Sequence, residues 1–164
     1  MAISKSTPNE RLQPCLFDRL LDEDVNNRQE GRHDRVISLS DYRTAVLRDL
    51  SWLLNASSHH ESEGLDEFEY VESSVFNFGK PGLSGRGVAS IDIEELEAAV
   101  AKAVHNFEPR IVPHTLVVNA VQESVKGSPS TLVFEIRGEL WARPFPEKLF
   151  IKTSLDVETG EITL

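Results

Sequence analysis

Apolar residues recur along this chain at helical spacing first and at strand spacing afterwards. Leu12, Leu16, Phe17, Leu20 and Leu21 fall three and four residues apart, which predicts one short amphipathic helix between Pro14 and the acidic Asp22-Glu23-Asp24. So short a helix is marginal alone in water and must dock on the body or on a partner. The surrounding residues, with Pro8, Pro14 and a stretch from Asp22 to Arg35 almost without apolar side chains, read as a polar arm over 1–39. A single domain over 40–164 follows.

Two longer helices are written into that domain. Tyr42, Val46, Leu50, Leu53 and Leu54 share one face while Arg43, Arg48 and Asp49 share the other, so the spacing predicts a helix from Ser40 to Asn55. Ala56 to Glu72 turns acidic, with Glu61, Glu63, Asp66, Glu67, Glu69 and Glu72 and no basic residue among them, as in a solvated loop. Between Val75 and Val88, VFNFGKPGLSGRGV holds four glycines and Pro81 and is expected to be a structured loop. Asp92 then stands as N-cap, Glu95 completes a capping box, and Ile91 with Leu96 forms a hydrophobic staple. Ile93, Leu96, Val100, Ala103, Val104 and Phe107 continue the stripe. It stops at Glu108, because Pro109 disfavours a helical conformation in the residue before it.

After Pro113 the period becomes two. Strands are expected over Thr115 to Val125, Thr131 to Trp141 and Leu149 to Asp156, with a turn at Lys126 to Ser130. Glu158-Thr159-Gly160 turns the chain into a last short strand ending at Leu164. Leu132, Phe134 and Ile136 point one way and Val133, Glu135 and Arg137 the other, as on a half-buried antiparallel sheet. Helices first and strands afterwards predict an α+β fold, with the helices packed on one face of an antiparallel sheet.

Composition narrows the function. The 164 residues hold 27 acidic and 17 basic side chains, a formal charge of −10, which opposes general attraction to nucleic acid or an anionic membrane surface. No basic stripe offsets it. An apolar fraction of 40% with 27% charge is that of a globular chain with a real core. Cys15 is the single cysteine, so no intrachain disulfide forms. The opening MAISKSTPNERLQ lacks the apolar run of a signal peptide, and no apolar run of about 18 residues is present. A cytoplasmic protein without membrane insertion is expected.

Several chemistries fail on spacing. Gly79-Lys80 is followed by Pro81 rather than by Ser or Thr opening a helix, so no phosphate-binding loop is formed. His59-His60 beside Glu61 and Glu63 lack the spacing that aims two imidazoles at one metal ion, and His33, His105 and His114 are isolated. No cofactor is expected. Glu108 is the one carboxylate that a glycosidase reading would nominate, but Arg110 would keep it ionised, the wrong state for a general acid. Glu108-Pro109-Arg110 has two other readings. It is a helix stop with a surface ion pair worth at most about 1 kcal/mol, or it is a rigid charged corner offered to another protein, with Arg110 free for a bidentate carboxylate contact.

LFDRLL, VLRDLSWLLN, SVFNFGKPGLSG, FEPRI and LFIKTSLDVETGEI occur in the order found in TssE proteins. From about Leu16 to the C-terminus the chain resembles this family of type VI secretion baseplate subunits, which also contains the sheath-initiating wedge protein of contractile-tail phages. The resemblance implies a non-enzymatic α+β adaptor that attaches to a wedge core of TssF and TssG and templates the first ring of the TssB/TssC sheath. Glu108, Pro109 and Arg110 match the family's Glu-Pro-Arg motif, implicated in attachment and sheath assembly. The sheath joint it implies is strand addition, for which an uncovered strand edge supplies unpaired backbone groups. The third strand is the candidate edge, with Ile151, Thr153 and Leu155 on one face and Lys152 and Ser154 on the other. The polar stretch from Asp22 to Ser38, and Gly82 where an acidic residue is more usual, depart from the family pattern. Two alternatives to this role are a peptidoglycan-cleaving hydrolase, in keeping with the family's lysozyme-like label, and a regulatory adaptor of related fold.

Overall fold

The computed structural model describes residues 12–20, 36–59, 68–83, 91–121, 131–142 and 145–164. Its helices are α1 (Leu16–Leu20), α2 (Leu39–Asn55), α3 (Glu69–Glu72) and α4 (Ile93–Phe107), and its strands are β1 (Val117–Val121), β2 (Thr131–Leu140), β3 (Glu147–Asp156) and β4 (Ile162–Thr163). The four strands form one antiparallel sheet in the order β1-β2-β3-β4. The α+β class read from the sequence is the class of the structure.

Each long helix forms where its caps and its stripe agree. Ser38 rather than Ser40 opens α2, its hydroxyl accepting the Asp41 amide at 3.1 Å. Tyr42, Val46, Leu50, Leu53 and Leu54 are buried along that helix. Asp92 caps α4 by accepting from the amides of Glu94 and Glu95 at 2.9 and 3.2 Å. The stripe of α4 buries Leu96, Val100, Ala103 and Val104. Both stripes meet the inward sheet face, where Leu132, Phe134, Ile136 and Leu140 are buried; Val133, expected on the open face, is buried as well, at 4% exposure. Burial of side chains of this size contributes about 1.5–3 kcal/mol each, so this helix-on-sheet layer is the core of the fold.

Local chemistry moves several boundaries. Leu12 is not helical; it bridges Ile37, whose amide donates to the Leu12 carbonyl at 3.0 Å, so α1 starts only at Leu16. A 3-10 turn over Pro113–Thr115 delays β1 to Val117, and β3 begins two residues early at Glu147. One helical turn, α3, interrupts the expected acidic loop. The predicted turn at Lys126 to Ser130, the strand end at 122–125, the arm's Asp22 to Arg35 and Gly85 and Gly87 lie outside the described residues.

The glycine-rich segment is stitched to the end of α2. Lys80 donates its amide to Ala56 at 3.0 Å, and its carbonyl accepts from Ser58 at 2.8 Å. Gly79 is required there twice over: its φ is +125°, and a Cβ would stand 2.5 Å from the Ala56 carbonyl oxygen. Lys80 is buried by this arrangement, and the burial lowers its pKa.

Candidate functional site

The tripeptide Glu108-Pro109-Arg110 is locked between α4 and β2. The Glu108 amide still bonds the Val104 carbonyl at 2.9 Å, and its carbonyl accepts from Ile111 at 3.2 Å. Arg110 to Val112 then runs beside the end of β2, with Trp141 donating to the Arg110 carbonyl at 2.7 Å and Val112 donating to Glu139 at 2.8 Å. The backbone is therefore fixed on both sides.

The side chains correct the surface-pair reading of this corner and show where the bidentate contact of Arg110 goes. Glu108 is only 3% exposed, so the pair does not lie on the surface. Its Oε1 accepts from the Arg110 amide at 3.1 Å and from Arg110 Nε at 2.7 Å, while Oε2 accepts from Arg110 Nη2. The bidentate partner of Arg110 is thus Glu108 itself. Arg110 Nη2 also reaches Asp49 Oδ2 at 2.6 Å. Burial alone would lower the pKa of Arg110, but these two carboxylates outweigh it and raise it.

From Asp49 the charges continue outward. Its Oδ1 accepts from Nε and Nη2 of Arg48 at 2.9 and 2.8 Å, and Arg48 Nη1 bonds Asp18 of α1. The Phe17 ring of α1 meets Trp52 edge-on, with centroids 5.3 Å apart, and the Arg48 guanidinium lies 5.1 and 5.0 Å from the two ring centroids. The short helix of the arm therefore docks on the body. The hydrogen bond from Arg48 holds the Asp18 carboxyl below its ordinary value of 3.8. A depressed carboxylate contributes stability above its unfolded pKa and loses it as pH falls through the folded one. Fluorescence of Trp52, recorded in a Trp141→Phe background, should therefore report a docked arm helix down to about pH 4, and release should occur only in more acid solution.

These elements enclose a cleft of about 870 Å³. Phe17, Tyr42, Trp52, Phe78, Phe107 and Trp141 line it, with Asp49, Glu108, Pro109 and Arg110. Tyr42 donates its hydroxyl to the Trp141 carbonyl at 3.1 Å. Burial pushes the Tyr42 phenol up, with Arg110 opposing the shift and Glu108 reinforcing it. Sequence reasoning missed the cleft and the role of Asp18. One signal was present: Trp52, four residues after Arg48, sits on the polar side of α2 and is 49% exposed, where an amphipathic helix has no need of an indole.

The second candidate region, Ile151 to Leu155 of β3, is divided by the structure. Ile151, Thr153 and Leu155 are buried, and their register partners on β2 are Ile136, Phe134 and Leu132. Ser154 and Leu155 are aligned with Thr163 and Ile162 of β4, so at that end β4 is the outer strand and β3 is interior. Among the described residues, β4 pairs β3 at Ser154 and Leu155 and ends there. The Asp156 amide donates to Glu161, on the β4 side, at 2.9 Å. Since backbone groups alternate along a strand, Lys148 and Phe150 direct theirs the same way, past the point where β4 has ended. The two outer strands carry side-chain covers. Glu97 of α4 accepts the Ala120 amide of β1, and Asn55 of α2 both donates to and accepts from Ile162 of β4, at 2.9 and 2.8 Å.

Both Glu108 oxygens are thus engaged, and among the described residues no group of three or more His, Cys, Asp or Glu could hold a metal ion. The chain belongs to the baseplate wedge protein gp25 family, whose model matches residues 40–144. The family is structural, and the chain accordingly has a structural role in a baseplate of the phage or type VI secretion kind. No curated protein and no solved structure matches it significantly. The family match begins at α2 and ends before β3. Among the described residues no helix is long and apolar enough to cross a membrane.

Proposed function

We propose that this chain is a non-enzymatic adaptor of a type VI secretion baseplate, assembled at the cytoplasmic face of the inner membrane. It docks on a wedge core of TssF and TssG through the region around Glu108, Pro109 and Arg110, and it starts the TssB/TssC sheath by accepting a strand at β3. Family membership and the ordered motifs support the setting. The observation that carries the role is that, among the described residues, β4 pairs β3 only at Ser154 and Leu155, so the outward backbone of Lys148 and Phe150 lies beyond its end. An open edge is a liability in a soluble protein unless a partner strand occupies it. The outward backbone groups of Lys148 and Phe150 are the surface assigned to that strand.

Deletion of the gene followed by imaging of fluorescent TssB is the test. Cells lacking the chain should form TssF–TssG assemblies but almost no extended sheaths, and the wild-type chain should copurify with TssF and TssG. Full-length sheaths in the deletion strain would overturn the proposal.

A further inference from the structure

The short helix α3 and the 3-10 turn over Val75–Asn77 face the second half of α4 across a hollow of about 40 Å³. Its polar lining is Ser58, Glu72, Asn77, Lys102 and Asn106. Asn77 is only 8% exposed, and its Nδ2 donates to the Glu72 carbonyl at 2.9 Å. That bond fixes which end of the amide is which, and it leaves Oδ1 turned the other way, buried and without a hydrogen-bond partner. A buried acceptor left unmade costs stability. Its retention calls for a donor that the chain itself does not supply.

The hollow already accepts a cation. Glu72 binds the Lys102 ammonium there, but that ammonium does not satisfy Asn77 Oδ1. The Lys102 side chain is 52% exposed, and an ion pair so open to water exchanges readily. The wider charge favours a cation as well, because residues 56–107 hold ten acidic and three basic side chains. On the same two turns Tyr70 and Phe76 stand exposed. Among the described residues neither ring meets another ring or a guanidinium.

We propose that this hollow seats an arginine side chain of a partner protein, which donates to Asn77 Oδ1 and takes the Glu72 carboxylate from Lys102. Arginine fits better than lysine, because its planar fork spans two acceptors and stacks on exposed rings. In a chain with a structural role in a baseplate, the source of that arginine is a neighbouring chain. None of the polar residues of the hollow belongs to the Glu108–Arg110 corner or to β3, so this seat stands or falls apart from the function proposed above.

The test is an NMR titration of the isotope-labelled full-length chain with Nα-acetyl-arginine amide, read at the backbone amides of Glu72, Asn77 and Lys102. A saturable shift at millimolar ligand is expected, and the neutral acetyl-citrulline amide should give none. Free arginine should bind more weakly than the capped residue, since its carboxylate meets an acidic surface. Lys102→Gln removes the competing cation and should tighten binding about threefold. Asn77→Leu should abolish binding with the thermal midpoint nearly unchanged, because the bond lost to the Glu72 carbonyl is offset by removal of the unpaired oxygen. An asparagine with a purely structural role would lower the midpoint and leave binding alone. No saturable shift, an equal response to citrulline, tighter binding of free arginine, or a Lys102→Gln variant that binds no tighter overturns the assignment.

Discussion

Replacing Arg110 with leucine should destabilise the fold by about 3 kcal/mol, measured as a lower urea midpoint at unchanged slope. The argument rests on what remains rather than on the contact removed. Glu108 stays buried at the exit of α4 with only the residue 110 amide, at 3.1 Å, to satisfy it. A buried charge that loses its partner costs about 3–5 kcal/mol; the surviving amide bond and the open cleft beside it place the expected loss at the lower end. The double variant Glu108→Leu, Arg110→Leu should recover part of that loss, because it removes the unpaired charge along with its partner. Equal stability of the single variant and the wild type would show that the pair is solvated, contrary to its burial. The single variant also removes the Arg110 contact of Asp49, which keeps its bonds to Arg48. Charge reversal at Arg110 would be a poorer probe of partner binding, since it sets three carboxylates together in one corner.

The parts of this fold legible in the sequence are those in which one face is buried and the period is long. The stripes of α2 and α4 span four turns or more, and Asp92 and Pro109 mark the ends of α4 by local backbone chemistry. Leu132, Phe134 and Ile136 of β2 face the core as their alternation predicts, while Val133 of the other face is buried too, which alternation does not show. What escaped was decided by contacts across the chain. Glu108 and Arg110 are two residues apart, a spacing equally compatible with a surface pair, an outward corner or a buried clasp; Asp49, 61 residues away, selects the last. The edge of β3 was misplaced for a similar reason. Alternation shows which side chains are buried, but the length of β4 decides where β3 stops being an edge, and two paired residues leave no periodicity to read. Leu12 likewise fitted a helical stripe, yet its partner is Ile37, reached by the chain's return and not by local spacing.

Phe150→Pro should cut sheath initiation about tenfold or more while leaving most of the fold in place. Phe150 directs its amide away from β2, by the alternation fixed at Asp156, so proline removes a donor that β2 does not use. Proline is tolerated in strands on such outward positions and not on inward ones. The fold should lose about 1 kcal/mol, the span of strand preferences. An arriving sheath strand, by contrast, loses a backbone hydrogen bond worth about 1–1.5 kcal/mol and meets the pyrrolidine ring in its path. At 1.4 kcal/mol per decade, sheath starts per cell should fall about tenfold or more. Two companions separate backbone from side chain. Phe150→Ala removes the ring that lies 5.4 Å from the Arg137 guanidinium but keeps the amide, and should still start sheaths. Ile151→Pro strikes a residue that pairs inward with Ile136 and should unfold the sheet. If Phe150→Pro folds, copurifies with TssF and TssG, and still starts sheaths at the wild-type rate, the strand is accepted at some other edge and the assignment of β3 fails.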